Sequence, residues 1–320
     1  MKKNNSLVIR QKDFLETEEG LFFAVVADDI EEGRSLAFLR YKSYISPEGV
    51  HIRKKLATEQ AISLLEHHYP EYLYHSIVFD ADLHGVPINR IEKHHQAKVK
   101  LQTLLSNQST TLQNKLVCLI TLLSENGIPL NTLGVTGSIL IGAEGKDSDI
   151  DLIIYDRVIF HKARKLIEKL IDKNKLSALD EYFWKDSFDR RACSLCFEDY
   201  VWHEKRKFNK AIFAGVKFDI SLVLTKAVDD DNTYIKKGLM KLTAEVINDQ
   251  YSFDSPSIYF IDNSEFQKVI CFTPTYTGQA ITGELIEVSG FVEESADGVN
   301  RRLIVGSTRE AVGEYIKVVR

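Results

Sequence analysis

Two aspartates that follow a glycine-serine pair are the residues best suited to chemistry. The segment from Gly134 to Tyr155 reads GVTGSILIGAEGKDSDIDLIIY. The apolar run at 149–154 predicts a strand, and because side chains alternate between the faces of a strand, Asp149 and Asp151 should project to one side. Mg²⁺ is commonly bound by one or two carboxylates together with substrate phosphates. The pair therefore predicts a magnesium site that works on a phosphorylated substrate.

Gly137 and Ser138 stand where a short predicted strand, 133–136, turns into a helix. The N-terminus of a helix presents free backbone N–H groups and the positive end of the helix dipole, which suits a phosphate. Gly137 allows a close approach of the backbone, and the hydroxyl of Ser138 adds a donor. We expect this pair to hold the β- and γ-phosphates. An isolated Asp-x-Asp pair usually lies in a solvated turn, so the prediction depends on the combination.

The order Gly-Ser, ten residues, then Asp-Ile-Asp resembles the active-site signature of the DNA polymerase beta-like nucleotidyltransferase superfamily. The resemblance implies transfer of a nucleoside monophosphate from an NTP to a hydroxyl or phosphate acceptor, with release of pyrophosphate. It also implies two Mg²⁺ ions, for which Mn²⁺ can substitute, held by Asp149 and Asp151. The whole chain further resembles archaeal-type predicted nucleotidyltransferases of unassigned substrate, on stretches such as EGLFFAVV, GVTGSILIG and YVWHEKRKF. The acceptor stays open, with RNA and tRNA among the candidates.

Asp219 is the predicted third carboxylate. Members of this superfamily commonly add an acidic residue from a later strand, and Asp219 lies in the apolar run GVKFDISLVL. A lone carboxylate among apolar residues is costly to desolvate unless a cation pairs with it. The resemblance implies that Asp219 ligates the metal ion on the acceptor side. The alternative is that Asp219 caps a loop or pairs with Lys210 or Lys217.

The segment HEKRKFNK at 203–210 is a basic run. Its cations are candidates for neutralising a triphosphate or contacting an RNA backbone. The alternative is a solvated charged helix face. The predicted phosphate-binding residues of the run are Lys205, Arg206, Lys207 and Lys210.

Two other function classes remain open. One is a nucleotide- or RNA-binding module without catalysis, against which the intact aspartates and Gly-Ser pair argue. The other is a nucleotidyltransferase of the toxin–antitoxin type that modifies a protein or a tRNA. Proteins of that type are usually compact single domains, whereas this sequence predicts further domains on both sides of the signature.

Net charge and hydropathy limit the classes of binding partner and the cellular location that the sequence predicts. The 320 residues carry a formal net charge of −5, so bulk charge does not favour non-specific binding of nucleic acid, and any such surface must be local. The apolar runs are too short to span a bilayer and the N-terminus lacks a signal-peptide core, which favours a cytoplasmic location without a membrane partner. Cys193 and Cys196 lack a second ligand pair for zinc. Cys118 and Cys271 are expected to be buried.

The pattern of elements predicts an α+β protein with three domains. These are an α+β domain at 1–107, a catalytic domain at 108–250 and a small β-barrel or sandwich at 251–320. The catalytic domain is expected to have the polymerase beta-like core, a small mixed sheet backed by helices. Predicted elements include a hairpin of 21–26 and 35–41 across an acidic loop, an acidic loop at 225–232, and helices at 57–68, 87–105, 112–125, 159–171 and 234–248.

Overall fold

The computed structural model describes residues 8–191, 193–224 and 233–320, and in these residues the chain has a mixed α+β fold. They form seven α-helices and 17 strands. The chain divides into two compact units. The first contains the described residues up to Ser76 together with Asp82–Ile153, and the second contains Ile77–Ala81 and Ile154–Arg320. The division into three domains stays a prediction.

The first unit contains a large antiparallel sheet, a smaller strand pair and four helices. The order of the large sheet is β5-β6-β3-β2-β1-β7, with β4 paired to β3, and β8 and β9 are neighbours in the smaller one. The strands are β1 Phe14–Thr17, β2 Leu21–Glu31, β3 Arg34–Ile45, β4 His51–Lys55, β5 Leu73–Ser76, β6 Ala81–Pro87, β7 Ile91–His95, β8 Leu133–Val135 and β9 Ile150–Ile154. The helices are α1 Thr58–His68, α2 Ala97–Ser106, α3 Thr111–Glu125 and α4 Gly137–Ile141.

Strands β2 and β3 form the predicted hairpin, but its turn is tighter than expected. Glu32 and Gly33 both have positive φ, 48° and 72°, and complete the turn by themselves. The acidic stretch before them belongs to β2 rather than to a loop, where the carboxylate of Asp28 accepts the backbone N–H of Gln11 at 2.6 Å. The hairpin buries Phe23 and Leu39 in the core of this unit.

The single helix predicted after Pro87 is wrong in its first half. A 3₁₀ turn at Ile88–Arg90 is followed by β7, which pairs antiparallel with β1, and the α-helix α2 begins only at Ala97. His94 and His95 are held there by two carboxylates. Nε2 of His94 is 2.8 Å from Asp13, just before β1, and Nε2 of His95 is 2.7 Å from Glu16 of β1. The non-local pairing overrides the local helical pattern. The two histidines therefore do not share a helix face with the lysines of α2.

The predicted helix at 112–125 is confirmed as α3. The hydroxyl of Thr110 accepts the backbone N–H of Gln113 at 3.2 Å and caps its N-terminus. Gly127 follows its C-terminus at φ 86°, the left-handed conformation expected of a glycine there. Cys118, predicted to be buried, lies on the exposed side of α3.

The second unit consists of three helices, a hairpin and a barrel-like sheet. The helices are α5 Arg157–Asp172, α6 Glu181–Asp189 and α7 Phe197–Lys205. The strands are β10 Lys210–Phe213, β11 Val216–Leu222, β12 Tyr234–Tyr251, β13 Ser257–Asp262, β14 Lys268–Cys271, β15 Leu285–Ser295, β16 Arg301–Val305 and β17 Tyr315–Val318. Among the described residues, no helix combines the length and the apolar character that crossing a membrane requires.

The C-terminal sheet closes on itself. Strand β12 pairs with β13 on one side and with β15 on the other, and β14 and β16 complete the ring between them. Val246, Tyr259 and Leu303 are among the side chains that fill it. The sheet begins at Tyr234, where a helix was predicted, because pairing on both edges holds residues 234–251 extended. The predicted acidic loop at 225–232 lies outside the described residues.

Candidate active site

Gly137 and the carboxylate of Asp151 are in close contact within the first unit. The backbone N–H of Thr136 donates to the carbonyl of Asp151 at 2.9 Å, which sets the start of α4 beside β9. Gly137 has φ 67°, and a Cβ on it would lie 2.2 Å from Oδ2 of Asp151. Only glycine satisfies both constraints, because an L side chain at this φ is strained and its Cβ would overlap the carboxylate.

The first turn of α4 is not capped by the side chain of its N-cap residue. Thr136 is the N-cap residue, yet its side chain makes no capping hydrogen bond. Its hydroxyl donates instead to the carbonyl of Lys12 at 2.6 Å. The helix has five residues, so its dipole is small. Gly142 ends α4 in the left-handed conformation.

Asp149 and Asp151 flank a buried isoleucine, as the strand pattern predicts. Ile150 is fully buried, while both aspartates are half-exposed. Asp149 immediately precedes β9 and Asp151 is its second residue. The charge of Asp151 also reaches Tyr41, whose pKa is raised by burial first and by this carboxylate in addition. Alternation along an extended chain predicts that the two carboxylates project to the same side.

Asp219 lies in the second unit, on β11, where it is half-buried. Its Oδ1 is buried and has no hydrogen-bond partner among the described residues. Lys210 is its cross-strand neighbour, but the ammonium of Lys210 binds Glu204 instead. Lys217 donates to the hydroxyl of Ser187 at 3.3 Å. Lys210 therefore has Glu204 rather than Asp219 as its ion-pair partner, and the carboxylate of Asp219 retains one oxygen without a hydrogen bond among the described residues.

Each of these carboxylates is, by its chemistry, a suitable ligand for Mg²⁺. No group of three or more His, Cys, Asp or Glu side chains is arranged to hold a metal ion in the described parts of the chain. Mg²⁺ does not require one, since it is usually bound by one or two carboxylates with water and substrate phosphates. Asp149, Asp151 and the unsatisfied oxygen of Asp219 have the chemistry of such ligands. That Asp219 joins the other two stays a prediction.

Most of the predicted phosphate-binding run is occupied by carboxylates of its own unit. Lys207 is buried with its ammonium 2.5 Å from Glu204, and Lys210 binds the other oxygen of the same carboxylate. Arg206 pairs with Glu284 at 2.5 Å and stacks over the Trp202 ring at 4.5 Å. Lys205, at the end of α7, is exposed. The run is therefore neither a solvated face nor an open row of phosphate ligands, because Glu204 neutralises its centre.

Burial and the charge of the partner shift the pKa values of Lys207 and Glu204 in opposite directions. Burial lowers the pKa of Lys207 to about 8 even though Glu204 favours its charged form. Burial raises the pKa of Glu204, but the ammonium groups of Lys207 and Lys210 outweigh it and hold that pKa well below the usual range. A buried charge of this kind is tolerated only while its partner remains.

We therefore expect Glu204→Gln to lower the free energy of unfolding by about 3 kcal/mol, since it leaves a buried ammonium without a counter-charge. Lys205→Ala, one residue away but exposed, should change it by no more than about 0.5 kcal/mol. Urea unfolding followed by circular dichroism measures both. Equal effects in the two variants would show that the buried pair does not stabilise this unit.

The cysteines make local contacts. Cys193 packs with its Sγ 3.7 Å from the hydroxyl of Tyr276, and burial raises its pKa. Cys196 is exposed at the start of α7. Cys271 is buried as predicted, and burial raises its pKa to about 12. All four cysteines are free thiols.

Comparison with known proteins yields a relative that spans the chain. An uncharacterized protein of Methanocaldococcus jannaschii, MJ1086, is 34% identical over 340 aligned positions, which cover 98% of this chain and 99% of the relative. The chain belongs to the family of that protein. No protein-family model matches the chain. No solved structure matches it significantly.

Proposed function

We propose that this protein is a Mg²⁺-dependent nucleotidyltransferase that moves a nucleoside monophosphate from an NTP to an acceptor. The observation that carries the proposal is the contact between Gly137, at positive φ, and the carboxylate of Asp151. It supports a phosphate-binding turn and a metal-binding carboxylate at one place. The succession β8–α4–β9–α5 supports a polymerase beta-like core as part of the same proposal.

Each residue has a distinct role in this proposal. The backbone at Gly137 and the hydroxyl of Ser138 donate to the β- and γ-phosphates of the NTP. Asp149 and Asp151 would supply the carboxylate oxygens that hold the metal ions. Asp219 would be the ligand on the acceptor side, as the resemblance to the superfamily implies. When bound, Mg²⁺ neutralises the phosphate charge and activates the acceptor oxygen.

The reaction needs no covalent intermediate on the protein. The acceptor oxygen attacks the α-phosphorus, and the bond from that phosphorus to the bridging oxygen of the β-phosphate breaks. Pyrophosphate leaves with the electron pair, and the proton of the acceptor hydroxyl passes to a carboxylate of the site or to water. Positioning and charge neutralisation account for the rate in chemistry of this kind.

The experiment that tests the proposal also finds the acceptor. The protein is incubated with Mg²⁺ and each of the four α-labelled NTPs, with total RNA, cell protein and small-molecule extract as separate acceptor fractions. We expect one fraction to become labelled in a reaction that EDTA stops. Absence of labelling in every fraction, with NTP binding intact, would favour the alternative of a nucleotide-binding module without catalysis.

A further inference from the structure

A polar cleft lies in the first unit, beyond the C-terminal end of α4. It has a volume of about 370 Å³ and is lined by β4, β7, α2 and the last residues of α4. Pockets for small ligands usually measure about 300 to 1,000 Å³. Its lining residues are Arg53, Lys93, His94, His95, Gln96, Val99, Lys100, Thr103, Leu140, Ile141 and Gly142.

The cleft collects positive charge without a carboxylate in its wall. Arg53, Lys93 and Lys100 are cationic, and no acidic residue lines the cleft. Neither lysine forms an ion pair within the described residues. Cations that converge in this way repel one another, and an anion between them relieves that repulsion. The distribution contrasts with the run at 205–210, where carboxylates pair with most of the cations.

Arg53 is held in place but only partly satisfied. Its guanidinium lies over the Phe22 ring at 5.2 Å, and Nη1 makes a long contact of 3.4 Å to the carbonyl of Gly142. Its Nε is buried and has no hydrogen-bond partner among the described residues. A buried N–H without an acceptor is costly, and a guanidinium matches the two oxygens of a phosphate group. The guanidinium of Arg53, which lines the cleft, is therefore suited to bind a phosphate there.

The histidines of the wall are fixed by carboxylates behind them. Nε2 of His94 is 2.8 Å from Asp13, and Nε2 of His95 is 2.7 Å from Glu16. Burial lowers the pKa of His95 although Glu16 favours its charged form. These pairs anchor β7, so that Lys93 and the start of α2 are held at the cleft.

We propose that this cleft binds the phosphate monoester group of a small phosphorylated acceptor. The inference rests on the proposed nucleotidyl transfer, because it assigns the cleft to the second substrate of that reaction. Helix α4 connects the two places, with Gly137 at one end and Ile141 at the other, about 6 Å apart along its axis. A small molecule bound by its phosphate in the cleft can therefore present a second group towards Asp151.

The test is a binding measurement without NTP and without Mg²⁺, so that its result does not depend on transfer. Ribose 5-phosphate and unphosphorylated ribose are the probes, titrated into the full chain by calorimetry at low ionic strength. We expect ribose 5-phosphate to bind and ribose not to bind. Arg53→Ala and Lys100→Ala should each weaken binding about tenfold, the effect of losing one charged hydrogen bond.

Lys54→Ala is the matched control. Lys54 neighbours Arg53 on β4, is exposed, carries the same charge and does not line the cleft, so its loss should change binding less than twofold. Lys100→Ala is tested in addition to Arg53→Ala because it removes a cation of the cleft and leaves the packing of Arg53 on Phe22 intact. Equal binding of ribose, or equal affinity in Arg53→Ala, Lys100→Ala and Lys54→Ala, would overturn the assignment.

Two further measurements exclude other sites and other ligands. Asp151→Asn should leave the binding of ribose 5-phosphate unchanged; a loss equal to that in Arg53→Ala would place the phosphate at the Gly137 turn and contradict the cleft. An RNA 12-mer that competes equally well with and without its terminal phosphate would identify a polyanion track instead. If the protein binds ribose 5-phosphate but transfers no nucleotide, the proposed reaction is refuted while the phosphate site in the cleft is retained.

Discussion

Gly137→Ala is expected to lower nucleotidyl transfer at least about a hundredfold. The new Cβ would lie 2.2 Å from Oδ2 of Asp151, so the carboxylate or the turn must move by about 1 Å to restore normal contact. A displacement of that size can cost about a hundredfold in rate. The positive φ of 67° adds about 1–2 kcal/mol of backbone strain, which should appear as lost stability. Initial rates of pyrophosphate release and urea unfolding measure the two effects.

Gly33→Ala separates strain from contact. Gly33 lies in the hairpin turn between β2 and β3 with φ 72°, and a Cβ there would have no heavy atom within 4 Å. The free energy of unfolding of Gly33→Ala should fall by the same amount that backbone strain takes from Gly137→Ala. The transfer rate of Gly33→Ala should stay within about twofold of the wild type. If both variants lost activity equally, the contact between Gly137 and Asp151 would have no role in the reaction.

Asp149→Asn and Asp151→Asn should each lower transfer by about a thousandfold, with the fold retained. An amide oxygen is a poor replacement for a charged oxygen on a hard cation. Loss of charge stabilisation at a transferring phosphoryl group typically costs two to three orders of magnitude. Both aspartates are half-exposed, so the substitutions bury no new polar group. Single-turnover rates at saturating NTP measure the loss.

Asp147→Asn is the control for this pair. Asp147 is exposed in the turn before β9. Its replacement by asparagine removes the same charge from the same segment of the chain. It should keep at least about half of the wild-type rate. Wild-type rates in Asp149→Asn and Asp151→Asn would refute the metal assignment, whereas an equal loss in Asp147→Asn would indicate a general effect of charge.

The local structure around Gly137 and the two aspartates could be predicted, whereas their role as a site stays a prediction. A glycine before a short helix and an alternation of aspartate with isoleucine are visible within 20 residues, and the contact of Gly137 with Asp151 agrees with them. The strand β9 and the helix α3 were predicted for the same reason, since their patterns depend on neighbours along the chain.

What the sequence did not show depends on pairing between distant segments. Strand β12 was predicted to be a helix because its local pattern is ambiguous and its partners β13 and β15 decide its conformation. Residues 91–95 were predicted to be helical for the same reason, because their pairing with β1 decides that they form the strand β7.

Buried side-chain networks and clefts were equally hidden. The basic run near Lys207 looked free because a sequence does not show that Glu204 is buried against it. The cleft was missed because Arg53, Lys93 and the end of α4 come from three separate segments.

The most direct test of the central claim follows the position of the label in the NTP. Parallel reactions with α-labelled and γ-labelled NTP are run with Mg²⁺ and the responsive acceptor fraction. Nucleotidyl transfer predicts that the α-label enters the acceptor and the γ-label leaves as pyrophosphate, in equal amounts. A γ-label found in the acceptor or released as inorganic phosphate would show phosphoryl transfer or hydrolysis, and would contradict the account.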